Sequence, residues 1–182
     1  DFRHRYYVKL DIKDALFCIP ISERVSKLTT FEHEGIVYKY NVLPMGLYLS
    51  PGHFSSISDK VVAGYSSFAR KFVDDILVGG KSIEELAHNL SLILDRMRLL
   101  GLKLNKEKVV FGGNNGLEFL GIHVSHKGVS PSLKTREEMA NLRTPRSWEE
   151  LHSLIGTLVW NFQFVNHMAW EIKILSEGLE TK

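Results

Sequence analysis

The sequence predicts an α+β fold, an antiparallel sheet with helices on one face. Three observations predict it. Two apolar strand-like runs each carry carboxylates, Tyr7-Val8-Lys9-Leu10-Asp11-Ile12 and Phe72-Val73-Asp74-Asp75-Ile76-Leu77-Val78. Capping boxes at Ser82-Ile83-Glu84-Glu85 and Ser147-Trp148-Glu149-Glu150 open helical patterns. The order strand, hairpin, helix, hairpin, helix, strands places helices against an antiparallel sheet rather than between parallel strands.

Each element has a local reason. Residues 6–12 read as a buried strand. Residues 28–31 and 36–42 are strand-like and joined by Glu32-His33-Glu34-Gly35, which suits a hairpin. Ser50-Pro51 is expected to start a helix, with Ser50 as cap and Pro51 at the first helical position, running to about Gly64. Residues 70–79 form a second hairpin, closed by Gly79-Gly80. After Ser82, the residues Ile83, Leu86, Ala87, Leu90, Ile93, Leu94, Met97 and Leu100 repeat at helical spacing, and Gly101 ends the helix as a left-handed cap. Short strands are expected at 102–104, 108–111 and 117–124. A helix opens at Ser147 and runs to about Phe164, and Asn166 is placed to cap a last one.

Composition bounds the function. A chain of 182 residues, 44% hydrophobic and 24% charged, builds a real core in one domain or one and a part. A net charge of +2 neither requires nor excludes a nucleic-acid partner. The single cysteine, Cys18, rules out an internal disulfide and reads as a small core residue. No apolar run reaches the length of about 18 residues needed for a membrane span. The opening Asp1-Phe2-Arg3, without Met, and the helical pattern at the other end are expected of a piece cut from something longer.

The acids carry the chemistry. A carboxylate in an apolar strand costs several kcal/mol unless compensated, and adjacent like charges add to that cost. A divalent cation at a hairpin tip is the natural compensator. With Asp11 on a neighbouring strand, Asp74 and Asp75 would complete an all-oxygen site suited to Mg²⁺. Two such ions about 3.5–4 Å apart stabilise the attacking and leaving oxygens of an in-line displacement, which is most of what phosphoryl transfer needs. His123-x-x-His126 lacks further ligands and does not read as a zinc site. Tyr38 and Tyr40 alternate with Lys39 as strand packing does. Trp148, Trp160 and Trp170 read as core or interface anchors in helices.

Six motifs in order, covering nearly the whole chain, resemble the palm of a reverse transcriptase from an LTR retrotransposon of the gypsy type or a retrovirus-like element. Lys9-Leu10-Asp11-Ile12-Lys13-Asp14-Ala15-Leu16-Phe17-Cys18-Ile19-Pro20-Ile21 resembles the first acidic motif. Tyr40-Asn41-Val42-Leu43-Pro44-Met45-Gly46-Leu47, with Ser50-Pro51 and Phe54, resembles the nucleotide-binding motif. Phe72-Val73-Asp74-Asp75 matches the aromatic-x-Asp-Asp box. Gly101-Leu102-Lys103-Leu104-Asn105 with Lys108 resembles the lysine motif, and Glu118-Phe119-Leu120-Gly121-Ile122 the primer grip. Pro145, Glu150-Leu151, Leu154-Ile155-Gly156 and Phe164-Val165 resemble the connection that follows.

The resemblance implies a polymerase palm with part of the fingers over 1–125 and the start of the thumb or connection over 126–182. It implies two-metal transfer from dNTPs to a primer 3′-hydroxyl on an RNA or DNA template. Asp11, Asp74 and Asp75 would be metal ligands, served by two Mg²⁺ ions with Mn²⁺ as the substitute. Lys108 would protonate the leaving pyrophosphate. Lys13, Asp14, Ala15, Leu16, Met45 and Gly46 would meet the nucleotide; Leu120 and Gly121 would hold the primer end. Two departures stand out. Leu16 replaces the usual aromatic ring that excludes a ribose 2′-hydroxyl, and Lys13 stands where small residues are common. From the residues alone, the rival for Asp14 is a local bond to backbone, and for Lys103 and Lys106 a solvated strand edge. Further partners implied are the rest of a pol polyprotein, with protease, RNase H and integrase, in the cytoplasm within a virus-like particle or in the nucleus. Two alternatives are a decayed or domesticated fragment acting as a binding module, and a palm-type RNA replicase.

Overall fold

The computed structural model describes residues 3–164 and 168–180. In chain order, β1 (Tyr6–Lys13) leads through a 3₁₀ turn, Ala15–Cys18, to α1 (Glu23–Ser26) and a hairpin of β2 (Thr30–His33) and β3 (Ile36–Lys39). Then come α2 (Ser50–Val62), β4 (Ala69–Phe72), β5 (Asp75–Gly80) and α3 (Ile83–Leu99). Short elements follow: β6 (Lys103–Leu104), a 3₁₀ turn Lys106–Lys108, β7 (Val110–Gly112), β8 (Leu117–Phe119), β9 (Ile122–Ser125) and β10 (Gly128–Pro131). The chain closes with α4 (Leu133–Ala140), α5 (Trp148–Asn161), a 3₁₀ turn Phe162–Phe164 and α6 (Met168–Glu180). Packing divides it into two compact units: Asp1–Leu117 with Ser125–Gly128, and Glu118–Val124 with Val129–Lys182.

The first unit is built on an antiparallel sheet ordered β4-β5-β1-β6, with β7 also on β1. β6 pairs with Ile12 and Lys13, and β7 with Tyr7 to Lys9, so the two share one edge of β1. Alternation sets the faces. Val8, Leu10 and Ile12 of β1 join Ile76 and Val78 of β5, all nearly inaccessible, in one core with Phe54 and Val61 of α2 and Ile93 and Met97 of α3. The helices thus cover one face of the sheet, as the sequence predicts. At about 25 cal/mol per Å² of apolar surface, each such side chain contributes roughly 1.5–3 kcal/mol. The β4–β5 hairpin is closed at Val73-Asp74, not at Gly79-Gly80, which instead end β5 where a side chain has no room. A Cβ on Gly79 would lie 2.4 Å from the His4 ring, and one on Gly80 2.4 Å from the Leu86 backbone nitrogen. Tyr7 is fully buried on the other face; its hydroxyl accepts from the His4 N–H at 2.8 Å, and burial pushes the phenol up from its ordinary value.

The second unit carries most of the sheet β10-β9-β8 and the helices α4 to α6, with α5 packed on α6. The serine caps form as expected, Ser82 and Ser147 accepting from the Glu85 and Glu150 N–H groups, each at 3.2 Å, while the two carboxylates accept from the Lys81 and Arg146 N–H groups, one residue before each cap.

Several boundaries differ from the sequence reading. Strands expected at 28–31 and 36–42 lie at 30–33 and 36–39, because the turn is only Glu34-Gly35, with φ of 52° and 75°. Ser50 is not a cap. Leu49 holds that position, while the buried Ser50 hydroxyl donates to the Pro44 carbonyl at 3.0 Å. The strand expected at 108–111 lies at 110–112, behind the Lys106–Lys108 turn. The strand expected over 117–124 is broken at Leu120-Gly121 (φ 55° and 74°) into β8 and β9. α1, α4 and β10 were not expected, and the 147–164 helix ends at Asn161. Asn166, expected to cap the last helix, lies outside the described residues.

Candidate active site

The acids meet at one end of the first sheet. Asp11 stands directly across the β1–β5 ladder from Asp75. The Ile12 N–H donates to the Asp74 carbonyl at 3.0 Å, which makes Asp11 and Asp75 a non-hydrogen-bonded pair, the kind with side chains closest together. Asp74 sits in the two-residue turn with Val73, between paired Phe72 and Asp75. Val73 has φ 53°, a strained conformation for a β-branched residue. Side chains of Lys9, Asp11 and Lys13 share the face away from the helices.

Lysines balance the acids. Lys108 Nζ lies 3.2 Å from Asp11 Oδ2, and Lys9 Nζ 3.0 Å from Asp75 Oδ1. Asp11 is buried; Asp74 and Asp75 are half-buried. Among the described residues no three acidic, imidazole or thiol side chains converge on one ion position. The donor chemistry nevertheless fits a hard cation: three carboxylates, no sulfur or imidazole, on adjacent strands and their turn. Two of the three already hold positive charge, supplied by ammonium groups.

The expected nucleotide residues come from two segments that the backbone ties together. The Leu43 N–H donates to the Ile19 carbonyl at 2.8 Å and the Ile21 N–H to the Asn41 carbonyl at 3.1 Å. These bonds set the segment that follows the Asp14, Ala15 and Leu16 turn beside the irregular stretch leading to Met45 and Gly46. Asp14 adopts φ 52° and its side chain makes no capping bond; the Asp14 carbonyl accepts from the Cys18 N–H instead. The local side-chain bond considered for Asp14 is therefore not formed. Ala15 and Leu16 pack partly against the core. Met45 is 69% exposed, and Gly46 turns the chain with φ 88°. Lys13 is exposed and stands opposite Lys103 on β6, two like charges facing each other across a ladder.

Leu120 and Gly121, in the second unit, form the β8–β9 turn. The Gly121 carbonyl accepts from the Ser132 N–H and the Thr135 hydroxyl, each at 3.2 Å, which ties the turn to the start of α4. Within the first unit Asp11 faces Asp75 across the ladder, Asp74 lies in the adjoining turn, and Lys108 is ion-paired with Asp11.

Two residues escaped the sequence reading. Lys9 precedes Asp11 by two positions, so strand alternation alone puts it on the acids' face. Lys71 shares the helix-facing parity of buried Ala69. Its Nζ, on a side chain 9% exposed, reaches Asp59 at 2.8 Å, the Ser55 and Ser58 hydroxyls each at 2.9 Å, and the Ser55 carbonyl at 3.0 Å.

Comparison with known proteins supplies the family and the fold. Residues 2–124 match the family model "Reverse transcriptase (RNA-dependent DNA polymerase)". An uncharacterized protein of Caenorhabditis elegans is 30% identical over 154 residues, 85% of this chain and 12% of that protein. A putative enzymatic polyprotein of Cassava vein mosaic virus is 28% identical over 179 residues, 98% of this chain and 27% of the polyprotein. A Tf2 transposon polyprotein of Schizosaccharomyces pombe is 25% identical over 160 residues, 87% of this chain and 12% of the polyprotein. This chain thus spans roughly an eighth to a quarter of these relatives. Among solved structures, foamy viral protease-reverse transcriptase in complex with double-stranded DNA superposes with a TM-score of 0.86 at 22% identity, over 99% of this chain and 31% of that one. The same enzyme with an RNA/DNA hybrid gives 0.83 at 22% identity, over 99% and 24%. The ordered motifs, the acid-bearing sheet and a family match over more than half of its length lead to one conclusion: this chain belongs to the reverse transcriptase family.

Proposed function

We propose that the chain is the palm-centred core of an RNA-directed DNA polymerase, with palm and partial fingers over 1–125 and the start of the thumb or connection over 126–182. The observation that carries this is the direct apposition of Asp11 and Asp75, with Asp74 in the adjoining turn. The reaction joins a primer 3′-oxygen to the α-phosphorus of a dNTP on an RNA or DNA template. The bond from the α-phosphorus to the bridging oxygen breaks, and pyrophosphate leaves.

Asp11 and Asp74 would hold two Mg²⁺ ions, with Asp75 beside them and Mn²⁺ able to substitute. When bound, such ions supply charge stabilisation at the attacking and leaving oxygens. The chain's own residues do the rest. Backbone amides of Lys13, Asp14 and Ala15 meet the triphosphate, and the facing ammoniums of Lys13 and Lys103 make that lip attractive to an anion. Leu16, Met45 and Gly46 line the sugar and base. Lys108 donates a proton to the leaving pyrophosphate. Leu120 and Gly121 hold the primer end. Shape and backbone contacts dominate template binding, because a polymerase accepts any sequence. The rest of a pol polyprotein, namely protease, RNase H and integrase, accompanies this core.

Primer extension tests the reading. Asp11→Asn and Asp74→Asn lower nucleotide addition by more than about a hundredfold, and Asp75→Asn by less. Retention of Asp74→Asn activity within about tenfold overturns the metal assignment. Offering rNTPs beside dNTPs separates this function from an RNA replicase.

A further inference from the structure

The two lysines at the acid pair are not equivalent. Lys108 comes from a short turn, and its side chain is 65% exposed. Lys9 lies mid-strand, paired through its backbone register to Leu77 of β5 on one side and Val110 of β7 on the other. Its side chain is 25% exposed and that of its partner Asp75 20%. A charge anchored on the central strand of three keeps its place; a charge on a surface turn can be exchanged for an incoming cation. Among the described ion pairs Asp11 thus meets the exposed, exchangeable lysine and Asp75 the strand-anchored one.

We propose that Lys9 is a positioning residue whose fixed ammonium holds Asp75 in an internal ion pair, so that Asp11 and Asp74 set the divalent-cation site and Asp75 only assists. The inference rests on the metal-binding reading of the acids given above. Strand geometry sets Asp11 and Asp75 face to face; the lysine that each one meets differs. Without it, Asp75 adds its full negative charge next to Asp11, and a divalent cation is held more tightly.

The test is Mn²⁺ binding to the full chain, followed by the electron paramagnetic resonance signal of free Mn²⁺, with thermal unfolding to check each variant. Lys9→Met tightens binding by about three- to tenfold. In the Asp75→Asn background the same substitution changes affinity by less than about twofold. Lys9→Arg retains the affinity of the unsubstituted chain. Unchanged or weaker binding by Lys9→Met, or equal tightening with and without Asp75, overturns the proposal. A measurement free of Lys9 substitutions stands beside it: Asp75→Asn weakens Mn²⁺ binding far less than Asp74→Asn, and equal losses overturn the proposal. If Asp11→Asn and Asp74→Asn both leave Mn²⁺ binding intact, the metal reading itself fails; if they weaken it and the Lys9 variants bind normally, only the role of Lys9 falls.

Discussion

At Val73 the backbone enters a left-handed region, φ 53°, that costs an L-residue about 1–2 kcal/mol, and more when the side chain is β-branched. The turn is nevertheless fixed from both sides, by the Phe72–Asp75 pairing and by the bond from the Ile12 N–H to the Asp74 carbonyl. Asparagine tolerates this conformation. Val73→Asn is expected to raise stability by about 0.5–1 kcal/mol, read as a shift in the urea midpoint; a lower midpoint would show that the valine side chain contributes packing worth more than the strain. Asp11, Asp74 and Asp75 were legible because carboxylates in apolar strands demand a compensator. Lys9 was not, because lysines are common on exposed strand positions and only the partner strand reveals Asp75 at 3.0 Å. Positive φ at Asp14 and Leu120 was equally hidden, since neither side chain announces it.

Among elements, β4 is the edge strand of its sheet, and Lys71 ties it to α2 through four acceptors. Lys71→Met keeps the length of the side chain but leaves the Ser55 and Ser58 groups and Asp59 without their donor. A loss of about 1–3 kcal/mol is expected in chemical unfolding. Lys71→Arg, with more donors, recovers part of it; a neutral Lys71→Met would mean that water serves those groups as well. The helices α2, α3 and α5 were legible from periodicity and caps. α4 was not, because Leu133-Lys134-Thr135-Arg136-Glu137-Glu138 carries little apolar repeat. The β8–β9 turn was missed because Phe119-Leu120-Gly121-Ile122 reads as one apolar run, with the chain reversal at two half-buried residues inside it.

For the molecule as a whole, the segment most open to proteases lies inside the second compact unit, between α4 and α5. Residues 141–147 have no regular secondary structure and are exposed at nearly every position. Brief trypsin treatment is expected to cut first after Arg143 and Arg146, leaving a protected fragment that contains 3–117, identified by mass spectrometry. Early cuts within that fragment would contradict the packing described for the first unit. The order of elements was legible at this scale, and the motif order led to the family. The partition was not: the compact boundaries fall between 117 and 129, where composition does not change.

The hairpin that ends in Gly79-Gly80 has a consequence in the language of the genetic code. A glycine codon reaches alanine, valine, serine, cysteine, arginine, tryptophan, aspartate or glutamate by one base change, and every one of these carries a Cβ. At these two codons that atom would fall 2.4 Å from the His4 ring or from the Leu86 backbone. Apart from changes at the third base that keep glycine, no single-nucleotide substitution there leaves the packing as it is. The chain therefore carries a six-base stretch in which only synonymous drift is free, at the far end of the strand that begins with Asp75.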